Sequence, residues 1–211
     1  MMAVNPATAW HMLKGFVKLK KGDWVLQNAG NSAVAHNVIK LAKSMGVRTV
    51  NIVRSESQVE AVLATGADAV VVDGADLAQK VHAAVGGQPI NLAFDAVAGD
   101  GTAKLGRCLA DGGTIVTYGL LSSASCSIDA SDLVFRNIAL RGYWFTQWFE
   151  TSSVEERNAV YEVIGKMIEE GAIDVEVEAT YPMSEVKAAV AHAALGGRKG
   201  KVILHPNAEL L

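Results

Sequence analysis

Short apolar, β-branched runs alternate along the chain with longer stretches whose apolar positions recur every three or four residues. The short runs are Trp24–Gln27, 49–53, Ala69–Val72, 91–97 and 114–118. Their nearly continuous apolar character predicts parallel strands covered on both faces, because burial on one face would leave a polar alternation. Between them, 33–45, 57–64, 77–85 and 102–110 predict helices. In the first of these, Val34, Val38, Leu41 and Met45 form one buried stripe. Gly46 and Gly66 follow the first two helices, where a left-handed residue ends the helix. This winding predicts an α/β fold with a doubly wound, mostly parallel sheet in three αβα layers. A helix over 7–16 precedes the first strand. After Tyr143 the pattern predicts a long helix over 153–170, a strand near 175–180, a helix over 185–194 and a last strand over 201–204. No repeat, low-complexity tract or Pro- or Ser-rich linker divides the chain, so a single domain over 1–211 is expected.

The turn after the first strand carries candidate chemistry. Gln27-Asn28 leads into Ala29-Gly30-Asn31-Ser32-Ala33-Val34-Ala35 and then a helix. Unpaired N–H groups and the helix dipole make such a helix start an anion site. The dinucleotide fingerprint has glycines at the turn, at the pyrophosphate approach and at the helix–strand contact. Here those places hold Gly30 or Ser32, Ala33 and Ala35. Alanine permits close approach but takes up positive φ only at a cost, and a tight turn with no ligand is the plainer alternative. The second strand ends Ile52-Val53-Arg54-Ser55-Glu56, with Arg54 22 residues after Ser32. An acidic residue there would bind a ribose 2′-hydroxyl, whereas arginine accommodates a 2′-phosphate. Turn and arginine together point to a Rossmann-like NADP(H)-binding domain, against the alternative of a solvated arginine.

Composition narrows the partners. Lys and Arg total 19 against 22 Asp and Glu, a net charge of −3, so neither nucleic acid nor an anionic membrane is expected as the main partner. The two cysteines, Cys108 and Cys126, exclude a disulfide scaffold and suit a reducing, cytoplasmic location. No apolar run approaches the roughly 20 residues of a membrane span, and the start Met1-Met2-Ala3-Val4-Asn5-Pro6 has no signal-peptide pattern. The doubled Met suggests an added start codon on a chain that naturally begins earlier. His11, His36, His82, His192 and His205 are scattered without ligand spacing, so no metal is expected and each is read as a surface or packing residue. Tyr161 and Lys166 are five apart, not a Tyr-x-x-x-Lys pair, and no G-x-S-x-G elbow occurs. Arg54 also disfavours a methyltransferase. Asp95 ends the fourth strand near the switch point and is read as a turn cap.

Four segments in order, Asn5-Pro6-Ala7-Thr8-Ala9-Trp10, Gln27 to Ala35, Gly112-Gly113-Thr114-Ile115-Val116-Thr117-Tyr118-Gly119 and Leu140-Arg141-Gly142-Tyr143-Trp144-Phe145, resemble the medium-chain dehydrogenase/reductase superfamily. The branch that the chain resembles is the zinc-independent, NADPH-dependent trans-2-enoyl thioester reductases, neighbours of the quinone oxidoreductases. The resemblance covers the cofactor-binding half only. It implies that the GroES-like catalytic domain, with its proton-donating tyrosine, lies outside this chain. It further implies an oxidoreductase that passes hydride from NADP(H) to the activated double bond of an enoyl thioester, the chain alone being inactive. A quinone oxidoreductase or alcohol dehydrogenase-like parent, or a non-catalytic nucleotide-binding module, are the alternatives.

Residue by residue, the resemblance sets Asn5 near the nicotinamide and Asn31, Ser32, Ala33 and Val34 at the phosphates. It sets Arg54 and Ser55 at the 2′-phosphate, with Glu56 where the family often has a second arginine. Tyr118, Gly119, Leu120 and Leu121 fall along the nicotinamide ribose. Tyr143, Trp144 and Phe145 fall at the nicotinamide end, and Lys201 is a late cofactor contact. No catalytic residue is assigned. Tyr143, Trp144, Phe145, Trp148 and Phe149 gather the aromatics of a chain only 6% aromatic, which suggests an exposed ligand or partner surface. Members of the superfamily pair through the edge strand of this domain. The apolar stretch 133–145 is expected to serve a homodimer in that way, and the remaining partner is a small-molecule substrate.

Overall fold

Parallel strands need crossover connections, and the chain supplies one between each successive pair. The computed structural model describes residues 3–174, 176–195 and 200–206. They form two compact units, the larger running through Ala172 and the smaller starting at Ile173. The larger unit contains, in chain order, α1 (Asn5–Gly15), β1 (Trp24–Gln27), α2 (Ala33–Ser44), β2 (Arg48–Val53), α3 (Val59–Ala64), β3 (Ala69–Val72), α4 (Leu77–Ala84) and β4 (Ile90–Asp95). It continues with α5 (Asp100–Cys108), β5 (Thr114–Thr117), α6 (Ala130–Val134), β6 (Ala139–Gly142), α7 (Phe145–Thr151) and α8 (Val154–Glu169). The sheet order is β3-β2-β1-β4-β5-β6, and every neighbouring pair is parallel. The winding therefore reverses between β1 and β4, the place where open α/β sheets bind ligands.

Side chains alternate between the two faces of the sheet. Trp24, Leu26, Val50, Ile52, Ala93 and Ile115 pack with Leu77 and Val81 of α4 and Leu105 of α5. On the opposite face Val53 packs with Ile39 of α2 and Val62 of α3. Both faces are thus covered, as the apolar runs predict. That second face also carries a buried polar ladder. Gln27 Nε2 donates to Asn51 Oδ1 at 2.6 Å and to the Ala35 carbonyl at 3.1 Å. Asn51 Nδ2 donates to Thr49 Oγ1 at 3.1 Å and to the Ala69 carbonyl at 3.0 Å. The ladder ties the first turn of α2 to three adjacent strands.

Gly46 (φ 69°) and Gly66 (φ 95°) end their helices in the left-handed region, as expected. The stretch 133–145, read from sequence as one apolar run, is divided. Leu133 and Val134 close α6, Phe135 stands 82% exposed, and only 139–142 pairs with β5. Elements this short carry too few residues to show a period. Between them Arg136 bridges Asp111 (2.9 Å) and Asp132 (2.7 Å) and donates to the Gly106 and Leu109 carbonyls. Ser153 and Glu156 form a reciprocal capping box at the start of α8.

The smaller unit pairs β7 (Val177–Pro182) with β8 (Lys201–His205) in parallel, with α9 (Val186–Ala194) between them in sequence. Position 175, the expected start of the penultimate strand, lies outside the described residues. Within this unit His192 Nε2 meets Glu178 Oε1 at 2.9 Å, and its Nδ1 meets the Tyr181 hydroxyl at 3.0 Å.

Candidate functional site

The loop after β1 is shaped by three small residues used differently. Ala29 takes φ 48°, so alanine and not Gly30 supplies the left-handed step. Gly30 is needed for closeness. Its N–H donates to the Ile52 carbonyl at 2.8 Å, and a Cβ there would meet the Asn51 Cβ at 2.9 Å. Ser32, in extended conformation, caps α2, its Oγ accepting from the Ala35 N–H at 3.2 Å. The Ala33 and Val34 amides find no acceptor among the described residues, and no acidic side chain stands in the first turn. Two open amides and the positive end of the helix dipole make this a place for an anion. Asn31 is exposed beside them.

Arg54 follows β2 directly, at the carboxyl end of the strand adjacent to β1. Its N–H donates to Gln58 Oε1 at 3.1 Å, while its exposed guanidinium has no partner among the described residues. Ser55 Oγ lies 2.9 Å from Ser57 Oγ, and Glu56 opens a single 3₁₀ turn.

The carboxyl ends of β5 and β6 enclose a cavity of about 390 Å³. Thr117, Tyr118, Gly119, Leu120, Tyr143, Trp144 and Gln147 line it together with Gly142. Five of the residues expected at a nicotinamide end therefore share one cavity, and Thr117 and Gln147 join them. Leu121 and Phe145 do not line it. Leu121 is exposed, its N–H donating to the Ala96 carbonyl at 3.1 Å. Phe145 faces Trp148 and Phe149, with centroids 5.7 and 5.9 Å away. Gly119 is dictated by packing, since a Cβ would sit 2.7 Å from the Ala96 carbonyl oxygen. The Tyr118 hydroxyl is buried beside Ser32 without a well-formed hydrogen bond, and burial pushes its pKa up to about 12. The Tyr143 hydroxyl is likewise buried without a partner, and its pKa is raised by burial. His11 of α1 stands 4.0 Å from the Trp148 ring and 6.0 Å from that of Tyr143, and burial lowers its pKa. It is a packing residue, as the sequence suggests.

The two ends of this crevice meet at Asp95, whose side chain is fully buried. Its Oδ1 accepts from Asn28 Nδ2 (2.6 Å) and from the Val97 and Ala98 N–H groups (both 2.9 Å), and its Oδ2 from Thr102 Oγ1 (2.6 Å). The expected turn cap is present, with two further bonds that spacing alone does not reveal. Asn5 opens α1, which packs on α2. Lys201 opens β8 in the smaller unit. Burial pushes the Cys108 thiol up to about 12, which removes it as a nucleophile. Among the described residues no three His, Cys, Asp or Glu side chains stand together to hold a metal ion, and no helix is long and apolar enough to cross a membrane. Open amides, an unpaired guanidinium and an aromatic cavity along one sheet end suit an elongated anionic ligand with a flat ring.

Comparison with known proteins agrees with this geometry. The mitochondrial enoyl-[acyl-carrier-protein] reductase of Dictyostelium discoideum is 36% identical over 208 residues, 96% of this chain and 59% of that protein. A structure described as a candidate NADPH:quinone reductase of Bacillus thuringiensis superposes with a TM-score of 0.89 at 26% identity, covering 98% of this chain and 63% of that one. The mitochondrial 2-enoyl thioester reductase heterodimer of Candida tropicalis shares the fold, with a TM-score of 0.86 at 23% identity over 98% of this chain and 60% of that one. The chain thus spans under two thirds of the length of these proteins. A family model for zinc-binding dehydrogenases matches residues 33–158, from the capped start of α2 through the aromatic cavity into α8. With the sheet order and the four ordered motifs, this match establishes that the chain belongs to the zinc-binding dehydrogenase family of the medium-chain dehydrogenase/reductase superfamily.

Proposed function

We propose that this chain is the NADP(H)-binding part of an oxidoreductase that reduces the activated double bond of an enoyl thioester. The observation that carries the reading is the 36% identity to a named enoyl reductase across 96% of the chain. The unpaired Arg54 beside the phosphate turn supports NADP(H) over NAD(H). In this reading the Ala33 and Val34 amides, with Ser32 and Asn31, cradle the diphosphate, and Arg54 and Ser55 hold the 2′-phosphate. Tyr118, Gly119 and Leu120 follow the nicotinamide ribose. Tyr143 and Trp144 shield the ring from water, with Asn5 as a further contact. Bound cofactor supplies the hydride, and the protein supplies orientation and a dry cavity. The resemblance puts the donor of the accompanying proton, a tyrosine, outside this chain. We assign that step to a GroES-like domain beyond these 211 residues, so the chain alone should bind NADPH without reducing a crotonyl-type thioester.

Titration with NADPH and NADH tests the reading. Arg54→Ala should weaken NADPH about 10- to 100-fold, the worth of a charge-assisted pair, and leave NADH nearly unchanged. Equal losses would remove the 2′-phosphate role. The 26% identity to a candidate quinone reductase supports quinone as a second substrate class. Assaying both acceptors after supplying the catalytic domain separates the two. We further propose a homodimer through the β6 edge, where Leu133, Val134 and Phe135 are exposed. Sedimentation as a monomer at high concentration would end that proposal. The cytoplasmic location is proposed from the two free cysteines. Cell fractionation distinguishes it from the mitochondrial location that the Dictyostelium relative's name carries.

A further inference from the structure

We propose that Asp95 is a positioning residue that holds the phosphate turn and the aromatic cavity in register, an inference that rests on the dinucleotide reading. A turn cap needs only the bonds from the Val97 and Ala98 amides. Asp95 goes further. Through Asn28 it reaches the loop after β1, and Asn28 returns the link, its Oδ1 accepting from the Ala96 N–H at 2.8 Å. Through Thr102 it is fixed to α5. Its backbone carbonyl accepts from the Tyr118 N–H at 3.0 Å. The carbonyls of the loop it caps, Ala96 and Val97, accept from the Leu121 and Ser122 N–H groups at 3.1 and 2.9 Å. The fully buried Asp95 side chain therefore joins the loop after β1 to the loop after β4 and to α5, and the backbone carbonyls of the loop it fixes carry the loop after β5.

Two of these loops contain alanines in the left-handed region, Ala29 (φ 48°) and Ala98 (φ 64°). Such residues persist only where their surroundings over-determine them, and the bonds around Asp95 and Asn28 provide that. A full dinucleotide touches both ends of the crevice at once, so its affinity depends on their relative position. A half-ligand that touches only the phosphate end does not.

The test uses Asp95→Asn and Asn28→Ala in the 211-residue chain, with Ile90→Val at the far end of the same strand as the control for lost stability. Calorimetry measures affinity for NADPH and for adenosine 2′,5′-bisphosphate, and hydrogen exchange follows the amides of 29–34 and 119–123. Both variants should weaken NADPH by about tenfold or more and the bisphosphate by less than about threefold, as expected for misplacement of correctly made contacts. Exchange should rise in both loops together, and Ile90→Val should change neither readout. If Asp95→Asn fails to fold, Asn28→Ala decides, because it removes only the link. Equal weakening of the two ligands, or exchange that rises in one loop alone, overturns the proposal. Failure of the unaltered chain to take up either ligand overturns the dinucleotide reading instead. The exchange result would then still decide whether Asp95 joins the loops.

Discussion

The crevice between β1 and β4 and the edge beyond β5 belong to one sheet, yet they hold their loops by different means. At the crevice, buried polar side chains bond the loops to the strands, through Asn28, Asp95 and Thr102 on one side and Gln27 and Asn51 on the other. Toward the edge one arginine, Arg136, holds short elements together, and large apolar groups stay in water. Leu120 is 70% exposed, Trp144 65% and Phe135 82%. Leu120 and Trp144 line one cavity at the carboxyl ends of the strands, whereas Phe135 precedes β6. The difference teaches that the loop after β1 is fixed by buried bonds to the strands beside it. The cavity beyond β5 is lined instead by loop residues whose apolar side chains stay partly in water.

Breaking the polar lock should have the largest effect. Asp95→Ala leaves the Asn28 amide, two backbone N–H groups and the Thr102 hydroxyl without their acceptor. Urea unfolding should show a loss of about 3 kcal/mol or more, the scale of leaving several buried donors unpaired. A loss under about 1 kcal/mol would mean that the crevice is not locked in this way. Ser32→Ala removes only the cap of α2 and should cost about 1 kcal/mol in the same measurement.

At the aromatic end the lever is pH. His11 has its pKa lowered below 6.5 by burial against Trp148. The native state therefore prefers the neutral ring, and the stability this gives is present above pH 6.5 and lost as pH falls through the lowered value. His11→Gln should flatten the fall in unfolding midpoint between neutral and mildly acidic pH, and an unchanged profile would place the titrating group elsewhere. The smallest effect on stability is expected at the edge. Phe135→Lys should shift unfolding by no more than about 0.5 kcal/mol, as for an exposed site. Sedimentation should meanwhile show any dimer lost, because a charge at an exposed edge opposes pairing.

The phosphate end was more legible in the sequence than the ring end. The strand run Trp24–Gln27, the cap at Ser32 and the apolar stripe of α2 each act within a few residues, so spacing reveals them. Even there the roles of neighbours were not readable. The turn place is open to Gly30 or Ser32 by spacing, whereas the left-handed step falls on Ala29 and Gly30 serves the close approach of β2. Asn28 and Asp95 stand 67 positions apart, and no local rule pairs them. At the ring end, α6, β6 and α7 are four to seven residues long and gave no period to read. The aromatic cluster was evident by composition, while its division into cavity lining and ring packing was not.

By itself the amino-acid sequence determined the alternation of strand and helix through β5, the coverage of the sheet on both faces, and the glycine stops after α2 and α3. These follow from the periodicity of burial and from backbone preferences, both of which act over short distances along the chain. Only the tertiary structure decided that β1 and β4 lie side by side, that a carboxylate on one bonds an amide just beyond the other, and that Tyr118, Tyr143 and Trp144 close on one cavity. Contacts between distant segments depend on where whole strands dock. That choice is made by the summed packing of the sheet and its helices, which no single stretch of residues contains.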